Sequence, residues 1–160
     1  MLLHLLRHAD AGDPMRWEGP DAARPLSDKG RSQAKRLGQF LSGIKFTGEP
    51  FITSPKVRAA QTADGVADKL DAKVVVDDRL GEALTLETIE AILADAGDPD
   101  RPVLVGHDPD FSELVAVLCG AAGVTMRKGA LARIEIERPL RAGRGTLRWL
   151  LPPDVLKPER

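Results

Sequence analysis

Apolar positions along this chain come in short runs, and the spacing inside each run separates strands from helices. Residues 2 to 6, "LLHLL", are apolar apart from His4, which predicts a short buried strand. Residues 11 to 25 keep no period and are punctuated by Gly12, Pro14, Gly19, Pro20 and Pro25, the composition of a loop. In "RPLSDKGRSQAKRLGQFLSG" the period changes to that of a helix. Ser27 is the predicted N-cap, Asp28 lies in the positive first turn, Ala34, Leu37, Leu41 and Ile44 form one face, and Gly43 is the predicted stop.

The alternation continues. Phe51 to Thr53 read as a second strand, followed by a helix capped by Ser54 with Pro55 in its first position and Val57, Ala60, Ala63, Ala67 and Leu70 on its core face. "KVVVDD" is a third strand. Thr85 caps a helix carrying Leu86, Ile89, Ile92 and Leu93, and "RPVLVGH" is a fourth strand leading into the helix "FSELVAVLCG". "ALARIEIE" and "GTLRWLL" alternate as half-exposed strands do, and residues 152–160 read as a C-terminal tail. Strands alternating with helices predict an α/β fold, a largely parallel sheet covered on both faces, in one domain spanning residues 1–160.

Composition narrows the function classes. The chain has 160 residues, 42% of them hydrophobic, enough for a packed core. A net charge of −1 argues against a nucleic-acid-binding surface. No apolar run reaches the roughly 20 residues of a membrane span, and the N-terminus lacks the pattern of a signal peptide. The one cysteine, Cys119, forms no intrachain disulfide and sits in an apolar helix as core. The expectation is a cytoplasmic protein of undetermined oligomeric state, without cofactor or metal.

In open α/β sheets, ligands bind beyond the carboxyl ends of the strands. Arg7 and His8 follow the first strand, Arg58 lies in the first turn of the helix after the second, and His107 ends the fourth. Two arginines, two histidines and the adjoining helix N-termini make an anion site in which a neutral imidazole can serve as nucleophile. Taken alone, His4 reads as a structural histidine, Asp10 as a turn residue and Trp149 as packing.

"LLRHADAG", "RPLSDKG", "ITSPKVRAAQTA" and "VLVGHDPD" resemble, in order and spacing, the motifs of the histidine phosphatase superfamily, which includes cofactor-dependent phosphoglycerate mutase. The short chain, without a large insertion after the second helix, looks most like the SixA-type phosphohistidine phosphatase branch. The resemblance covers residues 2 to about 150 and implies a three-layer αβα sandwich. It implies His8 as the nucleophile, Arg7 and Arg58 as the clamp on the phosphoryl oxygens, and His107 as a donor to the same group. It also implies a carboxylate that protonates the leaving group, either Glu82 after the third strand or Asp108 directly after His107, with Glu82 preferred. The family's first motif usually reads Arg-His-Gly. Ala9 here is accommodated if its backbone is not at positive φ. Arg16 and Arg24, in the long loop and beside the first helix, are further candidate substrate contacts.

The implied activity is hydrolysis of a phosphomonoester or of phosphohistidine on a protein, with a small sugar or nucleotide phosphate as the alternative substrate. Two other classes compete. A metal-dependent hydrolase could use the carboxylates in "HAD" and "HDPD", although arginines in the pocket repel a cation. A non-catalytic phosphate-binding module could use the same arginines but has no need of a nucleophile.

Overall fold

The computed structural model describes residues 1–158. Six strands form one sheet: β1 (Leu2–Arg7), β2 (Phe51–Thr53), β3 (Val74–Val76), β4 (Val103–Gly106), β5 (Leu131–Glu135) and β6 (Thr146–Leu151). Their order is β3-β2-β4-β1-β5-β6. The first four are parallel, and β5 and β6 add antiparallel on the far side of β1. Four helices cover the sheet: α1 (Asp28–Gly43), α2 (Val57–Ala67), α3 (Leu86–Asp95) and α4 (Asp110–Cys119).

Alternation along the strands makes two cores. Leu6, Phe51, Val103 and Val105 face α1 and α2, packing on Ala34, Leu37, Leu41, Ala63 and Val66. Leu3, Leu5, Ile52 and Leu104 face α3 and α4, packing on Ile89, Ile92, Phe111 and Val115. The result is three layers, αβα. The chain leaves β1 through α1 toward β2, then returns through α3 to insert β4 between β2 and β1. This is a switch in strand order, and the crevice at the carboxyl ends of β1 and β4 follows from it.

Several boundaries differ from the sequence expectation. Ser27 caps α1 through Gly30 N–H (3.1 Å), as expected, but Gly43 is the last helical residue rather than the stop. The chain turns at Lys45, whose φ is +57°, and leaves Ile44 exposed. α2 begins at Val57, not Pro55, because the Ser54 hydroxyl is held in a bend by Lys56 N–H (3.2 Å). Its buried face is Arg58, Ala59, Thr62, Ala63, Val66 and Ala67, so Val57 and Ala60 turn away from the core. That rotation lets Arg58 point toward the sheet edge. Within the expected tail, Pro153–Leu156 form a 3₁₀ turn with Pro153 buried, and residues 159 and 160 lie outside the described residues. The loop between β1 and α1 contains two 3₁₀ turns, Pro14–Arg16 and Asp21–Ala23.

One close approach seats α1 against the end of β1. A Cβ on Gly30 would stand 1.9 Å from the Asp10 carbonyl oxygen, so only glycine fits there. Ser27 and Asp10 close the same junction. Ser27 N–H donates to the Asp10 carbonyl (3.0 Å) and its hydroxyl to the Asp10 carboxylate (2.5 Å). Asp10, read from the sequence as a turn residue, thus joins the end of β1 to the cap of α1. No helix among the described residues is long and apolar enough to cross a membrane.

Candidate active site

Three neighbouring strands end together and deliver the polar side chains. His8 follows β1, its N–H donating to the Gly106 carbonyl at the end of β4 (2.9 Å). Ser54 follows β2, its N–H donating to the Val105 carbonyl (3.0 Å). His107 follows β4, and its ring centroid lies 5.3 Å from that of His8. Arg58, in the first turn of α2, reaches the same place. Thr62, one turn on, accepts from Ala9 N–H (3.0 Å) and donates to the Arg58 carbonyl (2.7 Å), so α2 is bolted to the residue after His8. The four residues expected to share a site are together. Ala9 is buried and not at positive φ, so its methyl group fits where the usual motif has glycine.

A hydrogen bond fixes the tautomer of His8. His8 Nδ1 lies 2.7 Å from the Ala9 carbonyl. A carbonyl only accepts, so Nδ1 carries the proton and Nε2 keeps its lone pair. His107 Nε2 lies 2.7 Å from Ser54 Oγ. That oxygen accepts from Lys56 N–H and keeps a second lone pair and its own proton, so the contact serves either tautomer; when Ser54 donates, the ring proton of a neutral His107 sits on Nδ1. Burial lowers the His8 pKa to about 4; the bond to Ala9 opposes this, and the charges of Arg58, Arg7 and Lys128 add to it. Burial, then the charges of His8, Lys56 and Arg58, lowers that of His107 to about 3. Both rings are neutral at physiological pH.

Three buried side-chain nitrogens have no partner among the described residues: Arg7 Nε, Arg58 Nε and His107 Nδ1. The two arginine nitrogens are donors, as is His107 Nδ1 when Ser54 donates to Nε2, and leaving a buried donor unmade costs about 1–3 kcal/mol. All three belong to this one cluster, which has unspent capacity for an anionic ligand. Some of the terminal donors of the arginines are committed. Arg7 Nη1 donates to the Met126 carbonyl (2.7 Å) and lies 3.5 Å from Asp108. Arg58 donates from Nη1 to the Asp21 carbonyl and from Nη2 to its carboxylate, both at 2.9 Å.

The other expected site residues lie differently. Asp108 accepts from Ser112 through its N–H (3.0 Å) and hydroxyl (2.6 Å), which with Arg7 engages both carboxylate oxygens. Glu82 is exposed just after a 3₁₀ turn, Asp78–Gly81, that follows β3. The backbone before it lies against the site, since a Cβ on Gly81 would stand 3.5 Å from Ser54 Oγ. Arg24 is buried but spends its donors on the Ala11 carbonyl (2.7 Å) and Asp21 (3.3 Å), holding the loop. Arg16 stands exposed with only a 4.0 Å ion pair to Asp13, outside the cluster. Ser54, Thr62 and Asp21 are not foreseen as site residues. Ser54 and Thr62 lie inside the quoted "ITSPKVRAAQTA" motif, whereas nothing in the loop sequence marks Asp21. Among the described residues, no cluster of three or more His, Cys, Asp or Glu side chains is arranged to hold a metal.

Comparison with known proteins places this geometry. The family profile described as Histidine phosphatase superfamily (branch 1) matches residues 3–113. The chain is 27% identical to the phosphohistidine phosphatase SixA of Escherichia coli K12, covering 98% of this chain and 97% of that one. It is 30% identical to an 8-oxo-(d)GTP phosphatase of Mycolicibacterium smegmatis, over 75% of this chain and 38% of that protein. The solved structure of the protein histidine phosphatase SixA complexed with tungstate superposes with a TM-score of 0.82 at 27% identity, covering 98% of this chain and all of that one.

Proposed function

Because the chain belongs to the histidine phosphatase superfamily and is a phosphatase of the SixA-like kind, we propose that it hydrolyses phosphohistidine on a protein, with His8 as the covalent carrier of the phosphoryl group. The observation that carries the site assignment is that Arg7, Arg58 and His107, gathered with His8, each keep a buried nitrogen without a partner among the described residues, while His8 keeps Nε2 free. A tetrahedral oxyanion takes one bond from each of Arg7, Arg58 and His107.

The steps follow from those atoms. The Nε2 lone pair of His8 attacks phosphorus while the bond from phosphorus to the substrate nitrogen breaks. The leaving nitrogen takes a proton from an acid at the mouth of the site. Water then attacks phosphorus and gives a proton back to that carboxylate, the bond to Nε2 breaks, and His8 returns to its neutral form with phosphate released. Charge on the transferring oxygens is stabilised by donors already in place. The acid is Glu82 rather than Asp108: Asp108 is locked as an acceptor by Ser112 and Arg7, whereas Glu82 is exposed at the rim. Arg24 and Arg16 have no contact with substrate in this reading.

Rapid quench with a radiolabelled phosphorylated substrate tests the assignment. A phosphoramidate adduct, labile to acid and stable to base, is expected on the peptide containing His8. His8→Ala is expected to lose adduct and turnover while keeping its fold. An adduct on His107, or turnover by His8→Ala, overturns it. A substrate panel of phosphohistidine proteins, sugar phosphates and nucleotides, ranked by kcat/KM, decides between the protein substrate and a small phosphate ester.

A further inference from the structure

Beside the catalytic cluster lies a cleft of about 350 Å³, and Arg7 forms part of its wall. Its other sides are the N-terminal turns of α1, with Lys29 and Gln33, the segment carrying Arg127 and Lys128, and the C-terminal turn with Pro153 and Asp154. We propose that this cleft receives an acidic side chain that flanks the phosphorylated residue of a protein substrate. The inference rests on the phosphatase reading above and deepens it.

The cleft's charge points to that ligand. Arg7, Lys29, Arg127 and Lys128 face Asp10 and Asp154, four cations against two carboxylates, on a chain whose net charge is −1. Three of the cations are already shared, Arg7 with Asp108 (3.5 Å), Lys128 with Asp10 (3.6 Å) and Arg127 with Asp154 (3.2 Å). Lys29 stands beside Asp10 without an ion-pair contact of its own among the described residues. A dense polyanion such as a triphosphate calls for a cluster of unshared cations. Cations of which three already share carboxylates suit a single carboxylate on a mixed-sign protein face, where complementarity sets register and on-rate more than raw affinity.

The cleft is also held in fixed relation to the chemistry. Gly129, at φ +82°, donates its N–H to both the Arg7 (3.1 Å) and His8 (2.9 Å) carbonyls. The preceding Met126 is pinned by Arg7 through its carbonyl and by Ser112 through its N–H (2.9 Å). Arg127 and Lys128 therefore sit on a turn tied to the catalytic strand rather than on a free loop. A group bound by them is presented at a set offset from the phosphorus, and the field of Lys128 already reaches His8.

The test compares two synthetic phosphohistidine peptides, one with Asp and Glu flanks and one with Ala flanks, with p-nitrophenyl phosphate as the reference substrate. The wild type is expected to prefer the acidic peptide by at least about tenfold in kcat/KM, a difference carried by KM. Lys29→Glu with Arg127→Glu should abolish the preference and leave hydrolysis of p-nitrophenyl phosphate unchanged. Arg127→Gln with Lys29→Gln, which adds no repulsion against Asp154, should weaken it partway. Equal KM for the two peptides, or a preference that survives both double variants, overturns the proposal. So does selectivity for a small bisphosphate that the same variants remove. Lack of turnover on every substrate strikes the phosphatase reading instead, so the two failures are distinguishable.

Discussion

At the scale of single residues, the site is defined by which atoms are spoken for. Arg58 donates once from each terminal nitrogen to Asp21 and keeps Nε without a partner, and Asp21 is thereby a positioning residue for the guanidinium. Partial burial pushes the Asp21 carboxyl up, but Arg58 and Arg24 outweigh this and hold it below the usual carboxylate range. It is therefore a poor proton donor, which favours the proposed assignment of the acid to Glu82. That assignment has a leaving-group signature, because general acid catalysis matters most when the leaving group is poor. Glu82→Gln is expected to slow alkyl phosphate hydrolysis by roughly a hundredfold or more and p-nitrophenyl phosphate hydrolysis only slightly. Steady-state rates on the two substrates check this, and the same pattern in Asp108→Asn but not Glu82→Gln would reverse the assignment.

At the scale of elements, the junctions matter more than the elements themselves. α1 is amphipathic enough to be read from sequence, yet its seat depends on Gly30 lying against the Asp10 carbonyl. Gly30→Ala should force the helix off that seat and cost about 3 kcal/mol, the upper range for overpacking. Urea unfolding measures it, and a loss below about 0.5 kcal/mol, the range of ordinary surface substitutions, would show that the junction yields. Activity should fall with it, since Ser27, Gln33 and Asp10 tie α1 to the chain two residues beyond His8. The C-terminal turn is the other informative element. Its apolar residues anchor it under α1, with Pro153 buried and Leu156 packed on the α1–α2 core, so a stretch that reads as a tail becomes a wall of the substrate cleft.

At the scale of the whole molecule, three histidines couple stability to pH. His4 and His8 have pKa values near 4 and His107 near 3, all below the 6.5 of an unfolded histidine, with burial as the leading cause. The unfolded chain binds more protons, so stability is full above about pH 6.5 and declines as pH falls toward the folded values. His4 is separable from the site: its Nδ1 donates to the Pro102 carbonyl (3.1 Å) and its Nε2 accepts from Arg133 (2.9 Å), which holds it neutral. Denaturation between pH 7 and 4.5 should show a falling free energy, with His4→Gln removing one proton's worth, about 1.4 kcal/mol per pH unit. A flat profile would contradict the buried neutral state. The sequence by itself determined the layered α/β fold and the meeting of Arg7, His8, Arg58 and His107, because strand ends and first helical turns are local features and a parallel sheet sends them all to one edge. Only the tertiary structure decided which tautomer His8 takes, which buried nitrogens stay unspoken for, that Asp108 is locked and Glu82 open, and that the C-terminal turn lines a cleft. Those outcomes depend on partners far apart in the chain, such as Ser54 with His107, 53 residues on, and Arg7 with Met126, 119 residues on. Hydrophobic periodicity locates the elements that carry such groups but is blind to the polar contact made when those elements pack.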